Sequence, residues 1–117
     1  MTAIVPVRTS IAAGQALSGP VASVGYGVCL LLLPAAWTDA PLTLQGSLDE
    51  GEPAAWADLY DHLGNEVVLT VAAGRALTLP PTLLLGWRWL RLRSGLAAAP
   101  VNQAAERLIT LGIRPLA

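Results

Sequence analysis

Turn-forming residues punctuate this chain at intervals of about ten residues. They fall at Ala13-Gly14, Gly19-Pro20, Pro34, Ala40-Pro41, Gly51, Gly64-Asn65, Gly74, Pro80-Pro81, Gly95 and Pro100. Proline removes a backbone donor and glycine weakens a helix interior, so this rhythm leaves little room for a long helix. The runs between the breaks are short, and each is either wholly apolar or alternating. Short strands joined by frequent reversals are the mark of a sandwich or barrel. The expected fold is all-β: an antiparallel two-sheet β-sandwich, jelly-roll-like, of about eight strands. A length of 117 residues suits a single domain, 1–117, with a core that needs no metal or disulfide staple.

The expected strands cover residues 4–8, 15–21, 26–33, 42–48, 56–60, 66–71, 76–79, 87–93 and 107–113. Residues 101–105 allow one helical turn at most. The run at 26–33 is continuously apolar, as in a central strand covered on both faces. Val28, Leu30 and Leu32 are expected to face one way, and Cys29, Leu31 and Leu33 the other. Residues 42–48 alternate, with Leu42, Leu44, Gly46 and Leu48 on one side and Thr43, Gln45 and Ser47 on the other. Leu90, Leu92, Leu108 and Ile113 complete the expected core.

Composition narrows the function classes. The formal net charge is -1, without the basic surplus that phosphate binding requires, so nucleic acid is not an expected partner. Only 13% of residues are charged, about half the usual share, and every basic residue is arginine. A small monomer with so few charges has poor solubility. Arginine is enriched and lysine depleted at protein interfaces. Both features point to a subunit of an assembly, a homo-oligomer or a complex. The N-terminal residues lack the basic-then-apolar order of a signal peptide. The most apolar window, 24–37, is about 14 residues long, is interrupted by Pro34, and is too short to span a bilayer. No membrane partner is expected. The single cysteine, Cys29, excludes an internal disulfide, and its apolar setting far from His62 marks an inert thiol.

Residues 47–66, "SLDEGEPAAWADLYDHLGNE", hold Asp49, Glu50, Glu52, Asp58, Asp61, Glu66 and the only histidine. A calcium loop needs oxygens at alternating positions and a closing bidentate glutamate; Asp49-Glu50-Gly51-Glu52-Pro53 breaks off after two ligands. Asp49 and Asp58 would suit a glycosidase pair only across a sugar cleft that nothing marks. His62 and Asp61 lack a nucleophile in a Gly-x-Ser-x-Gly turn. No catalytic, cofactor-binding or metal-ligating set is expected, and the chain is not read as an enzyme. The better account is a structural turn built from Ser47, Asp49, Gly51 and Trp56. Ser and Asp side chains accept from nearby backbone N–H groups, Gly51 supplies a positive φ, and Trp56 folds over the turn as a lid. This resembles the Asp-box turn of sialidase propellers, Ser-x-Asp-x-Gly-x-Thr-Trp, with two extra residues before the tryptophan and no threonine. In that motif the role is structural. "DHLGNE" then forms a second turn with Gly64-Asn65 at its tip.

Over nearly its whole length the chain resembles small proteins from the structural-gene regions of tailed bacteriophages and prophages. The residues that carry the resemblance lie at 34–40 (Pro-Ala-Ala-Trp-Thr-Asp-Ala), 44–51 (Leu-Gln-Gly-Ser-Leu-Asp-Glu-Gly), 56–61 (Trp-Ala-Asp-Leu-Tyr-Asp), 89–95 (Trp-Leu-Arg-Leu-Arg-Ser-Gly) and 100–104 (Pro-Val-Asn-Gln-Ala). The chain departs from the pattern at Glu52-Pro53-Ala54-Ala55, where relatives tend to have Gly-Thr-Thr. The resemblance implies a virion structural protein made in the host bacterial cytoplasm. A capsid cement or decoration subunit bound to the major capsid protein is the leading expectation. A neck, tail or fibre component is the alternative, or a carbohydrate- or receptor-binding module with Trp37 and Trp56 stacking on sugar rings.

One strand is marked as the partner surface. In "WRWLRLR" the residues split by parity, so that Trp87, Trp89, Arg91 and Arg93 share the face opposite Leu90 and Leu92. Tryptophan and arginine are the residues most enriched among binding hot spots. Two readings stay open: this face docks onto the capsid protein or a sister subunit, or a loop of the same chain covers Trp89 while the arginines pair with Asp58 or Asp61.

Overall fold

The computed structural model describes residues 3–116, and among these it contains strands and no helix. The strands are β1 (Val5–Ile11), β2 (Val21–Ala22), β3 (Tyr26–Leu32), β4 (Leu42–Ser47), β5 (Ala57–Asp58), β6 (Ala76–Thr78), β7 (Trp89–Leu96), β8 (Ala99–Pro100) and β9 (Arg107–Pro115). They form two antiparallel sheets. The first has the order β1-β9-β3-β6; the second has the order β2-β7-β4-β5, with β8 added to the end of β7. The chain passes between the sheets at nearly every step, and only β4 and β5 are consecutive strands of one sheet on the main path. Apart from the small β7–β8 hairpin, this is an eight-stranded jelly roll, as the turn spacing predicts.

The core fills the space between the sheets. The second sheet contributes Leu42 and Leu44 from β4 and Leu90 and Leu92 from β7, and the first contributes Ile11, Val28, Leu31, Ile109, Leu111 and Ile113. Alternation delivers them: Leu42, Leu44, Leu90 and Leu92 fall on one parity of adjacent strands, paired as Leu44 with Leu92. Burying each such side chain stabilises the fold by about 1.5–3 kcal/mol.

Two core expectations need correction. Strand β3 is not covered on both faces: Leu32 is 46% exposed and Leu30 is half-buried. The register of β3 against β9 shifts between Val28 and Leu30, a bulge at Cys29 that places Val28 and Leu31 on the same inner side. The first sheet therefore has one face on the core and one outside. Leu108 is also not in the core, being 53% exposed. Leu108 and Ile113 have opposite parity in β9, so only one of them can face inward, and Ile109, Leu111 and Ile113 do.

The expected strands at the sheet edges shrink. Of 15–21 only Val21 is in a ladder strand; before it, single bridges join Ser18 to Ile11 and Leu17 to Arg93. Gly19-Pro20 interrupts the ladder, and the Ser18 Oγ accepts from the Leu92 N–H at 2.9 Å in place of a backbone carbonyl. The segment 66–71 is extended but pairs only at Glu66 with Tyr60 and at Leu69 with Leu42. These segments lie on the outer edges of the second sheet, where few neighbours remain to pair with.

Candidate functional site

The outer face of the second sheet carries the residues singled out in the sequence. Cross-strand pairing sets Ser47 beside Trp89, Gln45 beside Arg91 and Thr43 beside Arg93, while Gln45 also pairs with Asp58 on β5. Arg93 is the anchor. Its Nη1 lies 2.7 Å from Asp58 Oδ1, its Nη2 3.1 Å from Glu66 Oε2, and its Nε donates to Thr43 Oγ1 at 2.9 Å. Thr43 in turn donates to the Gly95 carbonyl at 2.7 Å. A buried guanidinium is tolerated only when paired and hydrogen-bonded, and Arg93, 5% exposed, has both. Hydrogen bonds from Arg93 and from Gln45 hold the Asp58 carboxyl below its ordinary value.

Arg91 is more open. Its Nε donates to Gln45 Oε1 at 2.7 Å, and Gln45 Nε2 donates to Asp58 Oδ1 at 2.9 Å. The guanidinium carbon of Arg91 lies 4.3 Å from the centre of the Trp56 ring, a cation–π stack. Burial, then the neighbouring Arg93, lowers the Arg91 pKa from its ordinary value. Trp89 donates from Nε1 to the Asp49 carbonyl at 3.0 Å. Of the two readings of "WRWLRLR", Arg93 therefore pairs within the chain, with Asp58 and with Glu66 rather than with Asp61.

The acidic stretch resolves into two turns. The Asp49 N–H donates to Ser47 Oγ at 3.2 Å, and Asp49 Oδ2 accepts from the N–H groups of Ala54 and Ala55, each at 2.8 Å. Those two bonds hold the Asp49 carboxyl low. The residues that exceed the Asp-box spacing are thus the ones the aspartate binds. One detail of the expected turn is different. Gly51 does not adopt a positive φ; the glycines that do are Gly14, Gly25, Gly64, Gly74, Gly86 and Gly95. Trp56 also stacks against Arg91 of β7, two strands away from β5 in the sheet. The second turn is closed by Asp61, whose Oδ1 accepts from Leu63 N–H at 2.9 Å and Asn65 N–H at 3.0 Å. Gly64, with φ 85°, supplies its left-handed residue. His62 lies in an open groove of about 280 Å³ with Tyr60, Asp61 and Leu83. Among the described residues, no cluster of three or more His, Cys, Asp or Glu could hold a metal ion.

Trp87 does not share the face of Trp89. It precedes β7 and is separated from it by a bend at Arg88, so the strand's parity does not reach it. Its ring packs against the core from the other side of the sheet, and a Cβ on Gly46 would fall inside that ring. Gly46 is therefore a close-packing glycine that lets Trp87 close one end of the core. Trp37 packs against the core as well and donates from Nε1 to the Ala40 carbonyl at 3.1 Å.

The residue that single-position reasoning missed is Gln103, which is 0% exposed. Its Oε1 accepts from Thr38 N–H at 2.8 Å and Arg107 Nε at 3.1 Å; its Nε2 donates to the Thr38 carbonyl at 2.9 Å and Ser94 Oγ at 2.7 Å. It locks the loop before β4 to the loop before β9. The only signal was its place in the Pro-Val-x-Gln-Ala string. Comparison with protein-family models, with curated proteins and with solved structures finds no match.

Proposed function

We propose that this chain is a structural subunit of a tailed-phage virion, a capsid cement or decoration protein that binds the major capsid protein and stabilises the head. The observation that carries this reading is the fate of the acidic stretch. Asp49, Asp58, Asp61 and Glu66 each accept hydrogen bonds from this chain's own donors, so they shape a rigid turn-and-strand surface. Rigid polar surfaces of this kind suit docking, because little side-chain freedom is lost on binding. The jelly roll is an architecture of viral capsid and lectin domains, a supporting analogy at the level of fold. The resemblance at 34–61 and 89–104 and the all-arginine base composition point the same way.

The docking surface in this reading is the half-buried strip of Trp89, Arg91 and Trp56, with Arg93 beside it and linked to Arg91 through Asp58 and Gln45. Trp89→Ala and Arg91→Ala should each weaken binding to purified heads by about 2 kcal/mol or more while the isolated domain still folds. Full-strength binding by both variants would remove the surface from this strip. Mass spectrometry of gradient-purified particles should find the chain in stoichiometric amount with the capsid protein; its absence from particles would overturn the virion role itself.

A further inference from the structure

Of the two guanidinium groups on the outer face of the second sheet, one is paired and one is not. Arg93 takes both Asp58 and Glu66. Arg91 donates its Nε to Gln45, and among the described residues neither of its Nη groups has a hydrogen bond or an ion pair. Arg91, Arg93, Asp58 and Glu66 balance in formal charge, but both carboxylates bond to Arg93. At Arg91 the repulsion from Arg93 outweighs the attraction of Asp58. Glu50 and Glu52, exposed in the Asp49 turn, form no ion pair with it.

The unpaired group is nonetheless held in place. Gln45 accepts from Nε at 2.7 Å and is itself bonded to Asp58 at 2.9 Å, while the guanidinium carbon lies 4.3 Å from the centre of the Trp56 ring. Arg8, Arg75 and Arg88 also lack ion pairs among the described residues, but none of them is fixed by a hydrogen bond or a ring. With Nε used and one side of the plane on Trp56, what remains of Arg91 is the fork of its two Nη groups. A partner that covers this strip takes that fork out of water. Desolvating a cation is costly unless an anion with hydrogen-bonding oxygens meets it. A backbone carbonyl brings no charge, and an apolar surface brings neither charge nor acceptor. A carboxylate brings the opposite charge and two oxygens at the spacing of the fork. A nucleic-acid phosphate is a poor fit, because duplex binding draws on many basic groups and the formal net charge here is -1.

We infer that the protein docking on this strip presents an aspartate or glutamate side chain, whose carboxylate pairs with the Nη fork of Arg91 beside Trp56. The inference rests on the docking reading of the strip and adds the partner's chemistry. The absence of lysine from the chain supplies the test. Arg91→Lys introduces the only side-chain amine and keeps the positive charge. Bound to purified heads and treated with a zero-length carbodiimide, this variant should form an amide from position 91 to an aspartate or glutamate of the capsid protein, located by mass spectrometry. Arg75→Lys, placed just before β6 in the other sheet, should form none. Affinity is the second readout, with circular dichroism to confirm that each variant folds. Arg91→Gln, which removes the charge, should weaken head binding at least about 30-fold, and Arg91→Lys should weaken it less. Unchanged binding by Arg91→Gln would overturn the inference and leave the virion reading intact. So would a position-91 link only to this chain's own acids, or equal linking from positions 75 and 91. Heads that fail to bind the unaltered chain would overturn both.

Discussion

On the outer face of the second sheet Arg93 is 5% exposed and paired with two carboxylates, whereas on the outer face of the first sheet Leu108 is 53% exposed. Both positions are outward-facing sites on long strands next to the centre of a sheet. The difference lies in what covers them. The second sheet is flanked by the acidic stretch 47–66, which folds back over β4 and β7 and supplies Asp58, Glu66, Trp56 and the Asp49 turn. The first sheet carries less cover among the described residues: Pro81, Leu85 and Leu116 lie over Gly27 at one end, and the three-residue edge strand β6 brings Ala76 and Thr78 to the outside. One face has become a second, polar layer of the same molecule. The other leaves the apolar side chains of Leu32 and Leu108 exposed.

Substitutions can break this comparison, and the largest effect belongs to the core both faces share. Leu90→Ala, on the inner side of β7, should cost about 2–5 kcal/mol in a denaturant titration. A loss below about 1 kcal/mol would mean that β7 does not anchor the core.

Arg93→Met comes next. It leaves Asp58 and Glu66 close together without their cation, and should cost about 3 kcal/mol even though the lost group lies on an outer face. A cost near zero would make the polar layer ornamental.

Acid titration sharpens the same point. The Asp58 carboxyl is held below its ordinary value of 3.8, chiefly by the hydrogen bond from Arg93. A lowered folded-state pKa stabilises the fold above the ordinary value and ceases to do so as pH falls through the folded value. The melting temperature should therefore drop as pH falls below about 4, and the drop should be smaller in Arg93→Met. Asp49 and Asp61, also held low by backbone N–H groups, keep the remainder of the effect in that variant. An identical acid profile in both proteins would contradict the assignment to Arg93.

The smallest effect is expected on the other face. Leu32→Ala should change stability by less than about 0.5 kcal/mol, because that side chain is already 46% exposed. A loss comparable with Leu90→Ala would show that the first sheet's outer face is covered after all.

Which strands pair came from the structure, whereas the all-β class and the two-sheet, jelly-roll-like sandwich followed from the turn spacing and from alternation in 42–48 and 89–93. These are local properties: a proline or glycine breaks a ladder wherever it occurs, and side chains alternate in any regular strand. The turn built on Ser47 and Asp49 was legible for the same reason, since its hydrogen bonds reach no further than Ala55. What failed to be legible depends on distant residues. The apolar run at 26–33 does not reveal the bulge at Cys29, because a bulge is a mismatch of register with β9, some eighty residues away. Trp87 and Trp89 look alike in a parity count, yet a bend at Arg88 sends one to the core and leaves the other outside. Arg91 and Arg93 are equivalent in the strand pattern. Only the fold decides that Arg93 lies beneath Asp58 and Glu66 and is buried, while Arg91 remains half-exposed on Trp56. Alternation assigns a side of the sheet, but what lies on that side is settled by the chain's long-range path, and burial, pairing and partner surfaces all follow from that path.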